Sequence, residues 1–501
     1  MNNPLRMTTG VVLALVSASA FVSCERRPQT ASCRVTTPSG EVHGVDFGAS
    51  CAFLGIPFAA PPVGRLRWKA PQPVGAWAPA VLDATVAPPT CPLVDPPGTG
   101  KTRGSEDCLK LNVWTPNHAP SSRAPVIVWI DGEGFTAASA NAAARDGQRI
   151  AAERGAIVVS ANYRVGPFGF LGHIGLTAED SAYASSANYG LLDQRAALGW
   201  VHDHIASFGG DPASVTIAGR FAGADSVGLH VVSPGSASYF SRAIMQSGFA
   251  SSRWRTLVEA ESVGESLATA LGCADRSRVL ECMRSKTTGE VLLALPSGQP
   301  QFTETFRTPW GPVVDGLEIP DQPRALYASG AFNRKPVMIG ATGDEGWTIV
   351  DRAFPALLSP EVYRAEVEAE FGSSDTPAIL ARYPVGGFLS PKQALSTLAG
   401  DVEAVCEARR VARLIEQRGV PVFQYSYSRA SHAAESGADR ADHEATDDYW
   451  TRFAATGNPD AVPQASVRTS AVTRAVNQQR CDFWEPFFLR SIAGSVPAAQ
   501  P

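Results

Sequence analysis

The sequence predicts an α/β protein: a large, mostly parallel central sheet with helices on both faces and helical insertions. Three observations carry this. Continuous apolar runs, Pro125 to Ile130 and Ile157 to Asn162, read as strands buried on both faces. Helical patterns alternate with them, at Asn141 to Gly155 and Leu191 to Ile205. Val215 to Gly223 reads as a short strand, a tight glycine turn and the start of a helix, with Gly219 and Gly223 two residues either side of Phe221. The chain has 501 residues, 44% of them hydrophobic, and a net charge of −5. That is enough apolar material for a substantial core, and no basic surplus that would mark a nucleic-acid binder.

From the N-terminus, Arg6 precedes an apolar run, Val11 to Val22, too short to span a bilayer. Residues 1–24 therefore read as a signal peptide. Phe21-Val22-Ser23-Cys24 loosely matches a lipoprotein cleavage box, which would make Cys24 a lipid anchor; plain secretion with an incidental cysteine stays open. Residues 25–32 are expected to form a tether, 33–490 a single domain and 491–501 a flexible tail. Nine cysteines in an exported chain invite disulfides. No cysteine or histidine cluster has metal-site spacing, so neither metal nor cofactor is expected.

Cys33 to Leu54 reads as a small β-meander turning at Pro38-Ser39-Gly40. Gly55 to Arg67 is too proline-rich for a helix and must be a loop. Glu106 to Trp114 alternates into a strand. Beyond the glycine turn, a helix runs from Ala222 towards His230 and a strand from Arg242 to Gln246. Leu257 to Leu271 and Thr287 to Leu295 are helical, Pro336 to Gly340 is a strand, and Val402 to Arg418 is a helix. Val422 to Tyr427 is a strand, and Asp447 to Thr456 reads as the terminal helix. Nothing resembles an interdomain linker.

Several long runs share one likeness. They are Glu106-Asp107-Cys108-Leu109 leading into Asn112-Val113-Trp114, Asn162-Tyr163-Arg164-Val165-Gly166, Asn188 to Gln194, Phe208 to Gly223, and Pro312 to Gly316. With them the chain resembles the type B carboxylesterase and cholinesterase family of α/β-hydrolases over nearly all of its mature length. The resemblance implies the α/β-hydrolase fold, serine ester hydrolysis and the bridges Cys91–Cys108, Cys273–Cys282 and Cys406–Cys481. Cys33–Cys51 is an extrapolation from two strands of one meander.

The resemblance also assigns roles at the site. Glu345 is implied as the acid that orients a histidine, and His432, in Ser431-His432-Ala433-Ala434-Glu435, as the base. His443 reads instead as a solvated residue at the start of the last helix. The backbone N–H groups of Glu133, Gly134 and Ala222 hold the oxyanion-donor positions. Four residues depart from the family at this one place. Phe221 stands where the nucleophilic serine is implied, and a phenyl ring cannot attack a carbonyl. Arg220 replaces a glutamate, and Asp131 and Glu133 alter the oxyanion loop. Arg220 is expected to pair with Asp131 and Glu133 as a plug over the site.

The functional expectation is an exported family member in which hydrolysis is absent or very weak, a pseudoenzyme kept for binding or scaffolding. The alternatives are an ester hydrolase using another nucleophile, Ser226 or Ser247, and a small-molecule binder using the old acyl pocket. Expected partners are an unknown protein or a small apolar ligand, with no nucleic acid. Membrane contact is expected only through an anchor at Cys24.

Overall fold

The computed structural model describes residues 33–95, 99–117, 123–142, 144–181, 183–248, 251–295, 309–342, 345–427, 437–460 and 478–493. Residues 1–32, where a signal peptide, Cys24 and a tether are expected, and His432 lie outside the described residues.

A nine-stranded sheet organises the chain. Its strands are β1 (Val45–Asp46), β2 (Ser50–Pro57), β3 (Lys110–Pro116), β4 (Ala124–Ile130), β5 (Ile157–Ala161), β6 (Gly210–Arg220), β7 (Arg242–Gln246), β8 (Val337–Thr342) and β9 (Val422–Tyr427). Their order across the sheet is β9-β8-β7-β6-β4-β5-β3-β2-β1. From β5 to β9 all pairings are parallel, and β3, β2 and β1 add an antiparallel edge. Alternation along β4 shows why its run is apolar throughout. Val126, Val128 and Ile130 enter the main core, while Ile127 and Trp129 face the other side with Trp450 and Phe453. Helices cover both faces: α1 (Ala144–Arg154) packs with Trp114 and Val158 on one, and α2 (Tyr189–His204) and α3 (Ala222–Val232) pack into the main core on the other.

Three sequence expectations need correction. The Cys33–Leu54 stretch is not one meander. Arg34–Thr37 and Gly40–His43 join Val81–Asp83 in a separate three-stranded sheet, and β1 and β2 belong to the central one. The division falls at Gly44, where a Cβ would lie 2.5 Å from the Ala52 carbonyl oxygen. The helix at Asp447–Thr456 begins earlier, at Gly437, and is not the last, because Gln478–Ala493 follows. The helix expected over 402–418 is a π turn, Asp401–Val405, feeding α4 (Cys406–Glu416).

All four disulfides form as paired above, with Cα–Cα separations of 5.0 to 5.6 Å. Cys406–Cys481 ties the final helix to α4 across 75 residues. Constraining a loop of that length in the unfolded chain stabilises the fold by about 4 kcal/mol. The tie sits in a second core around Val350, Tyr363, Leu398 and Trp484, built by the helical insertion and the last helix together.

Candidate active site

β6 ends at Arg220, α3 begins at Ala222, and Phe221 alone makes the turn between them. Its backbone sits at φ 51°, ψ −126°, a region that costs an L-residue about 1–3 kcal/mol. Neighbouring contacts hold it there. Phe221 N–H donates to the Gln246 carbonyl at 3.0 Å, and its carbonyl accepts from Asp225 N–H at 2.9 Å. A Cβ on Gly223 would lie 2.0 Å from the Ile130 carbonyl oxygen, so only glycine lets the helix approach β4.

The loop after β4 faces the turn. Asp131 is drawn back into it: one carboxylate oxygen accepts from Ser139 N–H at 2.8 Å, and its carbonyl accepts from the Tyr163 hydroxyl at 2.7 Å. Burial raises the Asp131 carboxyl above its ordinary range, and the nearby Glu133 charge adds to the rise. Glu133 is an exposed residue, and its N–H donates to the Ala137 carbonyl at 2.9 Å. Of the three expected oxyanion donors, this one is therefore already used.

The expected plug does not form. Among the described residues no ion pair joins Arg220 to Asp131 or Glu133. Arg220 Nη2 instead lies 3.7 Å from Glu345 Oε2, and its guanidinium stands 4.5 Å from the centre of the Phe221 ring. The reason is local. Asp131 spends its carboxylate on Ser139, whereas Glu345, 2% exposed just after β8, is within reach of the end of β6. Glu345 Oε1 also accepts from the Ser247 hydroxyl at 2.5 Å.

These groups stand at a cleft that opens to solvent. Gly134, Phe221, Ala222, Ser247 and Glu345 all line it. The Carboxylesterase family profile matches residues 31–447. This chain belongs to the carboxylesterase family. Acetylcholinesterase of Bungarus fasciatus is 38% identical over 432 residues, 80% of this chain and 70% of the relative. Fumonisin B1 esterase of Sphingopyxis macrogoltabida is 36% identical over 411 residues, 81% of this chain and 73% of the relative. Acetylcholinesterase of Electrophorus electricus is 35% identical over 423 residues, 77% of this chain and 65% of the relative.

Within this carboxylesterase frame the two other serines differ sharply. Ser226 has no exposed surface; it donates to the Ala222 carbonyl at 2.9 Å and accepts from Gln194 at 3.1 Å. Buried in the middle of α3, it has no path to a substrate. Ser247 reaches the cleft, at a φ of 59° directly after β7. His443 falls within the helix Gly437–Thr456. Sequence reasoning missed the far wall altogether: Trp254, Trp310 and Glu407. Only long-range folding brings these together, and no local pattern marks them.

Proposed function

We propose that this carboxylesterase-family protein does not hydrolyse esters through its elbow and serves instead to bind a ligand or partner. One observation carries the reading: the residue at the crest of the turn is Phe221, which has no atom able to form an acyl intermediate. The used Glu133 N–H and the Arg220–Glu345 contact support it. Purified protein assayed with p-nitrophenyl acetate should give the same rate as buffer plus a heat-inactivated control. A saturable rate above that control would refute the reading.

A second reading is favoured by Ser247, whose hydroxyl proton already points at the Glu345 carboxylate inside the cleft. On that reading Ser247 is the nucleophile, and any turnover is lost in Ser247→Ala. We further propose that the protein acts outside the cytoplasm after loss of residues 1–24, or anchored by lipid at Cys24. Its four disulfides support an oxidising compartment. A mass spectrum of the mature N-terminus separates the anchored form from the secreted one.

A further inference from the structure

The cleft contains a polar group with no part in elbow chemistry. Glu407, in the first turn of α4, is 6% exposed yet lines the cleft. Its Oε1 accepts from Ser251 N–H at 2.9 Å, from Ser251 Oγ at 2.7 Å and from Ser252 Oγ at 3.3 Å. Among the described residues no hydrogen bond reaches its other oxygen, Oε2. That oxygen is left to the cleft, where a donor on a ligand can meet it. Burial raises the Glu407 carboxyl, and the Ser251 donors and the Arg410 charge act against that rise. Arg410 Nε lies 3.4 Å from Glu485 Oε1, and the charges of Arg410 and Arg324 both act on Glu407 through space, without a hydrogen bond to it among the described residues.

The surroundings are aromatic. Phe135, Trp254 and Trp310, each 5–7% exposed, line the same cleft. Asp225, Glu345 and Glu403 join Glu407 on its walls, with Arg253 and Arg255 among them and Arg220 set against Glu345. Arg253 is neutralised by Glu259 at 2.7 Å. An aromatic face also attracts a cation through its quadrupole.

We infer that the cleft binds a small aromatic primary or secondary amine, whose ammonium N–H donates to Glu407 Oε2 while its ring lies among Trp254, Trp310 and Phe135. This rests on the binding reading above. The N–H is the discriminating group, because a quaternary ammonium carries the charge without a donor and an alcohol carries a donor without the charge.

Isothermal titration of the full chain with 2-phenylethylamine, its N,N,N-trimethyl analogue and 2-phenylethanol tests this. The amine should bind saturably and about tenfold or more tighter than either comparison compound, as a charge-assisted hydrogen bond requires. Glu407→Gln should weaken the amine by a similar factor and leave 2-phenylethanol unchanged. The three-compound comparison on the unaltered protein stands even if that variant folds poorly. Equal or tighter binding of the trimethyl analogue, no saturable amine binding, or an unaffected folded Glu407→Gln would each overturn the inference. Failure of amine binding without ester turnover removes this inference alone, whereas turnover removes the proposed function.

Discussion

Phe221→Ser alone will restore little esterase activity. The serine would enter a turn of the right shape, since the Phe221 backbone is already held at φ 51° between Gly219 and Gly223. What it would lack is around it. Glu133 N–H is bound to the Ala137 carbonyl and cannot also serve an oxyanion. Loss of one such donor costs other enzymes about 10²–10³ in turnover. Arg220 meanwhile faces Glu345, so the acid implied for orienting a histidine is balanced by a fixed cation. Adding Arg220→Glu to Phe221→Ser, together with Glu133→Gly to free the loop's main chain to turn its N–H away from the Ala137 carbonyl, should therefore raise p-nitrophenyl acetate turnover by about 10²-fold or more over the single variant. A single variant as fast as the triple would show that the oxyanion loop and Arg220 do not matter.

The largest stability loss is expected from Asp193→Ala. Asp193 and Arg164 have side chains 0% and 3% exposed. The Arg164 Nε and Nη2 donate at 2.7 Å to the two Asp193 oxygens, and Arg164 backbone N–H donates to one of them at 3.0 Å. This pair joins the loop after β5 to α2. Burial raises the Asp193 carboxyl even though Arg164 pulls it down, so the intact pair adds little net stability by itself. Breaking it is different, because the guanidinium is left buried without its counter-charge. The expected cost is about 3–5 kcal/mol, read by chemical denaturation with the disulfides intact. A loss under about 1 kcal/mol would mean that water reaches Arg164 readily.

Much of the frame was legible in the sequence because it rests on local signals. Period and apolar runs placed β4, β5, β7 and β9. The glycines around Phe221 placed the sharp turn, since without them β4, β6 and α3 collide. Three of the cysteine pairings were legible through the family likeness, and Cys33–Cys51 through an extrapolation from neighbouring strands. The partner of Arg220 was not legible. Charge alone favoured Asp131 and Glu133, but a backbone N–H, at Ser139, had first claim on Asp131. The loss of the Glu133 donor is a main-chain event that side-chain identity does not announce. Glu407 meets Ser251 across 156 residues, a contact that only the folded sheet creates.

The central claim is that no residue in this cleft forms an acyl intermediate. Incubation with a fluorophosphonate, followed by intact mass and peptide mapping, tests it most directly. The account predicts no adduct at pH 7 under conditions that fully label an active serine esterase. A stoichiometric adduct mapped to Ser247 would contradict it.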